Sequence, residues 1–316
     1  MKKVLIPEAI ADSGVQYLME RGYQIRMGIP TDPDNLKKEI LDADGLIVRN
    51  TRYPREVFEQ APRLKVIARH GVGVDNIDVK AAEELGIWCV NGPGSNANAV
   101  AEYTMAMILS LSCGLLQSDR FTRNRDWSFR LEQLRRHELS GHILGVIGLG
   151  RIGRLVAQKA SAGFGMKVIA YTAETDLEKI PGVELKASLE EVAAQADFLS
   201  LHLPSSEETR NLFDERMFRR MKKGAFFINC ARGDLYVEED LARVIKEGHL
   251  AGAALDVYRE EPLGESPLYE LPQVILSQHC AGFSEESKEN MALYAAIGVD
   301  EVLTGRRPSW PVNNPK

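Results

Sequence analysis

A short apolar strand, Ile143–Ile147, runs directly into Gly148-Leu149-Gly150-Arg151-Ile152-Gly153, and a helix-like run over 154–161 follows. A strand, a G-x-G-x-x-G turn and a helix start, in that order, form the turn that a dinucleotide pyrophosphate requires. Gly148 permits the sharp reversal, Gly150 lets backbone approach the phosphates with no side chain between, and Gly153 lets the helix pack closely on its strand. The free N–H groups and positive dipole end of that helix then face the phosphates. Three glycines alone can join elements that bind nothing. Here 166–171 reads as the next strand, so the βαβ unit is complete at the expected size of about 30 residues.

The same alternation fills the chain from its first residues. Strands are expected at 4–7, 23–27, 45–48, 65–68 and 87–90, with helices at 12–20, 33–41, 55–60 and 79–85 between them. That pattern implies parallel sheet with helices on both faces. It breaks on Asn91-Gly92-Pro93-Gly94, a passage between domains, before an apolar helix at 99–116. A second series continues through strands at 167–171, 198–202, 225–229, 253–257 and 274–276, and a helix over 284–303 returns towards the first domain. With 316 residues, 44% of them hydrophobic, the chain can build two separate cores.

Several function classes are excluded by what is missing. A net charge of −6 with no long basic run argues against a general nucleic-acid binder. Cys89, Cys113, Cys230 and Cys280 are scattered without a C-x-x-C pair, which fits neither a disulfide framework nor a zinc site, and no metal is expected. A reducing cytoplasm suits them. The run Val4-Leu5-Ile6 stops at Pro7 and Glu8, too short for a signal peptide. The stretch 99–116 carries Glu102 and several serines and falls short of the roughly 20 apolar residues a bilayer demands, so it reads as a buried helix and no membrane is expected.

In open parallel sheets ligands gather at the carboxyl ends of strands, so ionisable residues there are the candidates. Arg232 follows the strand at 225–229, Glu260 and Glu261 follow 253–257, and His279 follows 274–276. A guanidinium, a carboxylate and an imidazole suit hydride transfer between a nicotinamide and a 2-oxo acid. His279 would give the carbonyl oxygen its proton. Glu261 would favour the charged ring and orient it, and Arg232 would hold the substrate carboxylate and carbonyl with paired donors. His70, His137, His142 and His249 read as surface residues, and His202, ahead of Pro204, as lining the cofactor groove.

Gly148–Gly153, Asn229-Cys230-Ala231-Arg232-Gly233, the run from Ala254 to Pro262 and His279-Cys280-Ala281-Gly282 together resemble the motifs of the D-isomer-specific 2-hydroxyacid dehydrogenases, in the phosphoglycerate dehydrogenase and hydroxypyruvate or glyoxylate reductase branch. The resemblance covers essentially the whole chain. It implies two doubly wound α/β domains: a Rossmann NAD(P)-binding domain, 98–283, inserted into a flavodoxin-like substrate domain, 1–97 plus 284–316. It also implies a homodimer and a small 2-hydroxy or 2-oxo acid substrate. It gives Arg232, Glu261 and His279 the roles above, puts Arg151 and Ile152 on the pyrophosphate, and sets Leu203, Cys230, Ala231 and Gly282 around the cofactor with Asp256 near the carboxamide. In the first domain, Arg69-His70-Gly71-Val72-Gly73-Val74-Asp75-Asn76 resembles the substrate loop, and Gly71 and Gly73 would let successive N–H groups form an anion nest with Val72. Arg49 and Arg69 resemble positions that contact substrate where it carries a phosphate.

Two departures matter. The acidic residue that should grip the adenosine ribose about 20 residues after the fingerprint is Thr172. Thr172 cannot make a bidentate diol contact, yet Glu174 and Asp176 would oppose a 2′-phosphate, which puts NAD ahead of NADP. His70 replaces a small residue and narrows the substrate pocket. The chain ends soon after the return helix, so serine feedback through a further domain is not expected. A non-catalytic, dinucleotide-sensing scaffold of corepressor type is the alternative of another class, and oxidation of formate or phosphite is an alternative within the family.

Overall fold

The computed structural model describes residues 1–127, 136–173 and 180–315. It divides into two compact units, 1–96 with 283–316, and 97–282, each boundary one residue earlier than the sequence reading places it.

In the first unit, β1 (Lys3–Ile6), α1 (Asp12–Glu20), β2 (Gln24–Met27), α2 (Pro33–Glu39), β3 (Gly45–Val48), α3 (Arg55–Phe58), β4 (Val66–Arg69), α4 (Val79–Glu84) and β5 (Trp88–Val90) alternate. The five strands are all parallel, in the order β2-β1-β3-β4-β5, the flavodoxin-like doubly wound arrangement. β3, GLIV, is buried along its whole length, as a strand covered by helices on both faces must be. Asp78 caps α4 by accepting from the Ala81 N–H at 2.9 Å.

The second unit opens with α5 (Ala97–Cys113), whose buried face packs in this unit's core. The sequence reading runs this helix on to 116. Gly114, at φ +61°, instead ends it, and α6 (Leu115–Arg123) leaves at 63° with no buried residue. Among the described residues no single helix is long and apolar enough to cross a membrane.

Then follow β6 (Ile143–Ile147), α7 (Arg151–Gln158), β7 (Lys167–Tyr171), β8 (Val183–Leu185), α8 (Leu189–Gln195), β9 (Phe198–Leu201), α9 (Glu215–Arg220), β10 (Phe226–Asn229), α10 (Glu238–Lys246), β11 (Gly252–Leu255) and β12 (Val274–Leu276). All seven strands are parallel, in the order β12-β11-β10-β9-β6-β7-β8. Consecutive connections wind outwards in both directions from the β6/β9 pair, which makes that pair the topological switch point. The core beneath is aromatic: Phe198 stacks on Phe226 with ring centroids 5.1 Å apart, and Phe213, Phe218, Phe227 and Tyr236 fill the other face.

Finally α11 (Glu285–Leu303) returns the chain to the first unit, opened by a capping box between Ser284 and Ser287. It lies so close to α1 that a Cβ at Gly14 would come within 2.6 Å of the Ala292 carbonyl oxygen.

Four histidines depart from the surface placement expected for them. His70 is 4% exposed. His137 and His142 meet the Phe226 and Phe198 rings edge-on, and the His249 ring lies 3.1 Å from the Phe218 carbonyl oxygen. Each sits beside a loop, yet the loop folds back on its own core.

Candidate active site

The cofactor cradle forms at the switch point of the second unit. β6 ends at Ile147 opposite Leu201 of β9, and the His202 N–H donates to the Ile147 carbonyl at 2.8 Å. Gly148 then adopts φ +95°, with the His202 carbonyl 2.7 Å from where a Cβ would stand. A Cβ on Gly153 would collide with the Gly148 carbonyl oxygen, whereas one on Gly150 would meet nothing within 4 Å. The turn is therefore tight at its first and third glycines and open at the second, where a pyrophosphate approaches. α7 starts at Arg151, three residues earlier than the sequence suggests, and no side chain caps it, so its N-terminal N–H groups remain available to an anion. These residues fit a dinucleotide.

Around this turn, Arg151 is exposed and Ile152 half-buried on the first turn of α7, Thr172 follows β7, and Leu203 follows β9. Glu174 and Asp176 lie outside the described residues. Ala231 is half-buried at the end of β10, but Cys230 turns inwards, its Sγ 3.5 Å from Met107 Sδ. Burial pushes that thiol up to about 12, so it is an inert packing group, and only its backbone can border a ligand. His202 is held neutral by burial, at about 4, with Nε2 3.0 Å from Ser200 Oγ.

The three candidate catalytic side chains come from the ends of β10, β11 and β12. His279 Nδ1 lies 2.7 Å from Glu261 Oε2, and Glu261 Oε1 accepts from the Tyr258 N–H at 3.0 Å. Burial raises the Glu261 pKa, but the His279 hydrogen bond, the Tyr258 N–H and the charges of His279 and Arg232 outweigh it and hold the carboxyl below its usual range. Arg232 thus contributes its field to the pair. Its Nη1 donates to the Ala231 carbonyl at 2.7 Å. The structure brings guanidinium, carboxylate and imidazole together at one sheet edge.

His279 sits at φ +51°, unusual for a residue with a Cβ and a form of strain that collects at functional sites. Asp256 holds it there. Its backbone carbonyl accepts from the His279 N–H at 2.8 Å, Oδ1 accepts from Ser277 Oγ at 2.5 Å and Cys280 N at 2.9 Å, and Oδ2 accepts from Ala281 N at 2.8 Å. With 1% of its surface exposed, this carboxylate serves the loop that runs towards Gly282.

Other supporting groups escaped the sequence. Asn229 staples the turn carrying Arg232, its Oδ1 accepting from Ala231 N and its Nδ2 donating to the Arg232 carbonyl. Arg154 Nε donates to the Leu149 carbonyl at 3.0 Å and pins the glycine turn. A polar residue closing a buried strand, as Asn229 does, was the available signal.

In the first unit, Arg69 lies at the end of β4, its Nε and Nη1 donating to the carbonyls of Gly73 and His70 at 2.8 and 2.9 Å. It shapes the loop. No described residue accepts from the N–H groups of Val72 or Gly73, as an anion nest requires. Arg49 follows β3, its Nη1 donating to the Ala9 carbonyl at 2.9 Å.

The D-isomer specific 2-hydroxyacid dehydrogenase NAD-binding domain profile matches residues 105–281, over half the chain. The chain belongs to this family. D-3-phosphoglycerate dehydrogenase of Methanocaldococcus jannaschii is 38% identical over all of this chain, which spans only 60% of that relative's length. Glyoxylate reductase of Korarchaeum cryptofilum is 34% identical, covering 98% of this chain and 96% of its own. Among solved structures, NAD-dependent formate dehydrogenase from Staphylococcus aureus in complex with NAD superposes with a TM-score of 0.88 at 28% identity, over the whole of both chains. The cradle at β6/β9 lies within the matched NAD-binding domain, and Arg232, Glu261 and His279 stand at the carboxyl ends of strands in the same sheet.

Proposed function

We propose that this chain is an NAD(P)-dependent oxidoreductase that interconverts a small D-2-hydroxy acid and its 2-oxo acid. The observation that carries the proposal is the His279–Glu261 contact at 2.7 Å, within the field of Arg232. When bound, the nicotinamide donates or accepts the hydride at the substrate's second carbon. His279 supplies the proton to the carbonyl oxygen on reduction and removes it on oxidation. Glu261 keeps a proton on Nδ1 and stabilises the charged ring, which leaves Nε2 to the substrate. Arg232 binds the carboxylate and polarises the carbonyl. NAD is favoured, with NADP as the alternative, because the sequence just after Thr172 carries Glu174 and Asp176, which would oppose a 2′-phosphate, and no arginine or lysine stands beside Thr172 to bind one.

The names of the relatives direct attention to 3-phosphoglycerate and glyoxylate as substrates, and the motif resemblance adds hydroxypyruvate. No observation favours a non-catalytic scaffold, since the whole acid–base apparatus is present. A homodimer is supported by Leu115, Leu116 and Trp127, which are 58%, 52% and 83% exposed on and beyond α6, more apolar surface than a solitary helix gains from showing. Four free thiols suit a cytoplasmic location.

The test is loss of reduced-nicotinamide absorbance with NADH or NADPH against glyoxylate, hydroxypyruvate, phosphohydroxypyruvate, pyruvate and 2-oxoglutarate. Turnover of at least one 2-oxo acid is expected. Tight NADH binding with no turnover of any would remove the enzyme reading.

A further inference from the structure

The Asp256 carboxylate holds the histidine loop through one hydroxyl and two backbone N–H groups. A second hold comes from α5. Cys280, the residue after His279, has its thiol 3.4 Å from Tyr103 Oη, in the second turn of α5, with the S–H donating to the phenol oxygen. Among the described residues Cys280 Sγ has no other partner. Both residues belong to the second unit, and the contact joins that unit's first helix to its last loop across 177 positions.

Tyr103 stands on a firm base. Val100, Ala101, Thr104 and Met105, its neighbours on α5, are buried in this unit's core, and its own ring packs part-buried against that core. Burial first, then the Cys280 contact, push the phenol up to about 12, with the Ser277 side chain acting the other way and the Asp256 charge adding to the rise. The phenol is therefore neutral at any working pH and keeps its lone pairs for the thiol. Ser277, Cys280 and Asp256, which together fix the histidine loop, all surround this one hydroxyl.

His279 needs such support. Its φ of +51° is one that a residue with a Cβ adopts at a cost, so the loop relaxes unless several contacts oppose it. The imidazole and the thiol hang from adjacent residues. A backbone rotation that withdraws Cys280 from Tyr103 therefore also swings the imidazole away from Glu261.

Resting on the oxidoreductase function proposed above, we infer that Tyr103 is a positioning residue for His279: through Cys280 it ties the histidine loop to α5 and keeps the imidazole on Glu261. Proton transfer stays with His279. The phenol acts only through the loop, and a thiol is a weak donor, so its effect on rate is smaller than that of the imidazole itself.

The experiment uses Tyr103→Phe, which keeps the ring and removes the hydroxyl, Cys280→Ala, and the two together. Each single substitution should lower kcat about three- to tenfold, the range for one lost hydrogen bond, while the NADH dissociation constant changes by less than about twofold. The double variant should lose no more than the larger single loss, because both substitutions delete the same contact. A second measure needs no turnover: the 15N shift of His279 Nδ1, assigned with His279→Asn, should move towards that of a free imidazole in all three variants. An unchanged shift, losses that multiply in the double variant, or NADH binding weakened as much as kcat overturns the inference. A wild-type protein that turns over no 2-oxo acid, with the shift still moving in the variants, would instead overturn the oxidoreductase function and leave the hold on His279 standing.

Discussion

His279 Nδ1 and Glu261 Oε2 stand 2.7 Å apart although 18 residues separate them, and each is fixed from behind by backbone. Tyr258 N–H holds the other oxygen of Glu261, and the Asp256 carbonyl holds the N–H of His279. Tyr258 Oη ties the two segments further, donating to the carbonyls of Leu255 and Ser277 at 3.1 and 2.9 Å. The acid–base pair is thus held in place by the protein's own backbone, which is what low reorganisation during proton transfer requires.

His279→Asn should lower kcat by about 10²- to 10⁴-fold, the usual contribution of a positioned general acid. NADH affinity should stay nearly constant, because the cradle lies at β6 and α7. Glu261→Gln should also lower kcat, and it should change the acid side of the pH profile. The Glu261 pKa is depressed in the fold, so the wild-type pair survives through the ordinary carboxylate range and is lost only as pH falls through the depressed value. Stopped-flow and steady-state profiles check both, and wild-type turnover in His279→Asn would exclude the ring from the chemistry.

Thr172→Asp should move the preference towards NAD over NADP by roughly tenfold, the value of one charge-assisted contact of about 1.4 kcal/mol. Thr172 stands just after β7, the strand beside β6, where a carboxylate would reach a ribose diol. The ratio of kcat/KM for the two cofactors is the measure. Equal loss with both would mean that the ribose lies elsewhere.

Much of this was legible in the sequence because it is local. The G-x-G-x-x-G turn, alternating strands and the residues just past each strand follow from chain order, and parallel topology puts those residues on one edge. What was not legible depends on contacts distant in sequence. Nothing near Asp256 signals that its carboxylate would be consumed by Ser277, Cys280 and Ala281. His70 reads as a loop residue until α11, more than 200 positions later, returns to cover the unit that contains it. β8 was missed because only three residues, VEL, make the strand, with two of them exposed.

Asp256→Asn tests the support of the histidine loop. An amide keeps one acceptor but turns an NH2 towards either the Ala281 N–H or the Cys280 and Ser277 donors, placing donor against donor in a buried site at a cost of about 1–3 kcal/mol. With the loop loosened, His279 can leave its φ of +51°. The expected result is a fall of about tenfold or more in kcat with a smaller change in the NADH dissociation constant. The reverse split, weak NADH binding with kcat preserved at saturation, would show that the carboxylate serves the cofactor and not the loop.

His70 gives the first unit a pH-dependent stability whose sign can be worked out. Its folded pKa is about 4, against about 6.5 in an unfolded chain. Between those values the unfolded state binds a proton that the folded state refuses, so stability rises with pH through this window and is complete above about 6.5. Burial is nearly total, so the contribution lost by pH 4 approaches about 3 kcal/mol. Carboxylates add their own slope, which a substitution separates. In urea titrations at intervals from pH 4.5 to 7, His70→Gln should flatten the rise relative to wild type while leaving the slope due to carboxylates. Parallel curves for the two proteins would mean that the ring is protonated as readily in the fold as in water, and that its burial among Arg49, Arg69 and α11 does not keep it neutral.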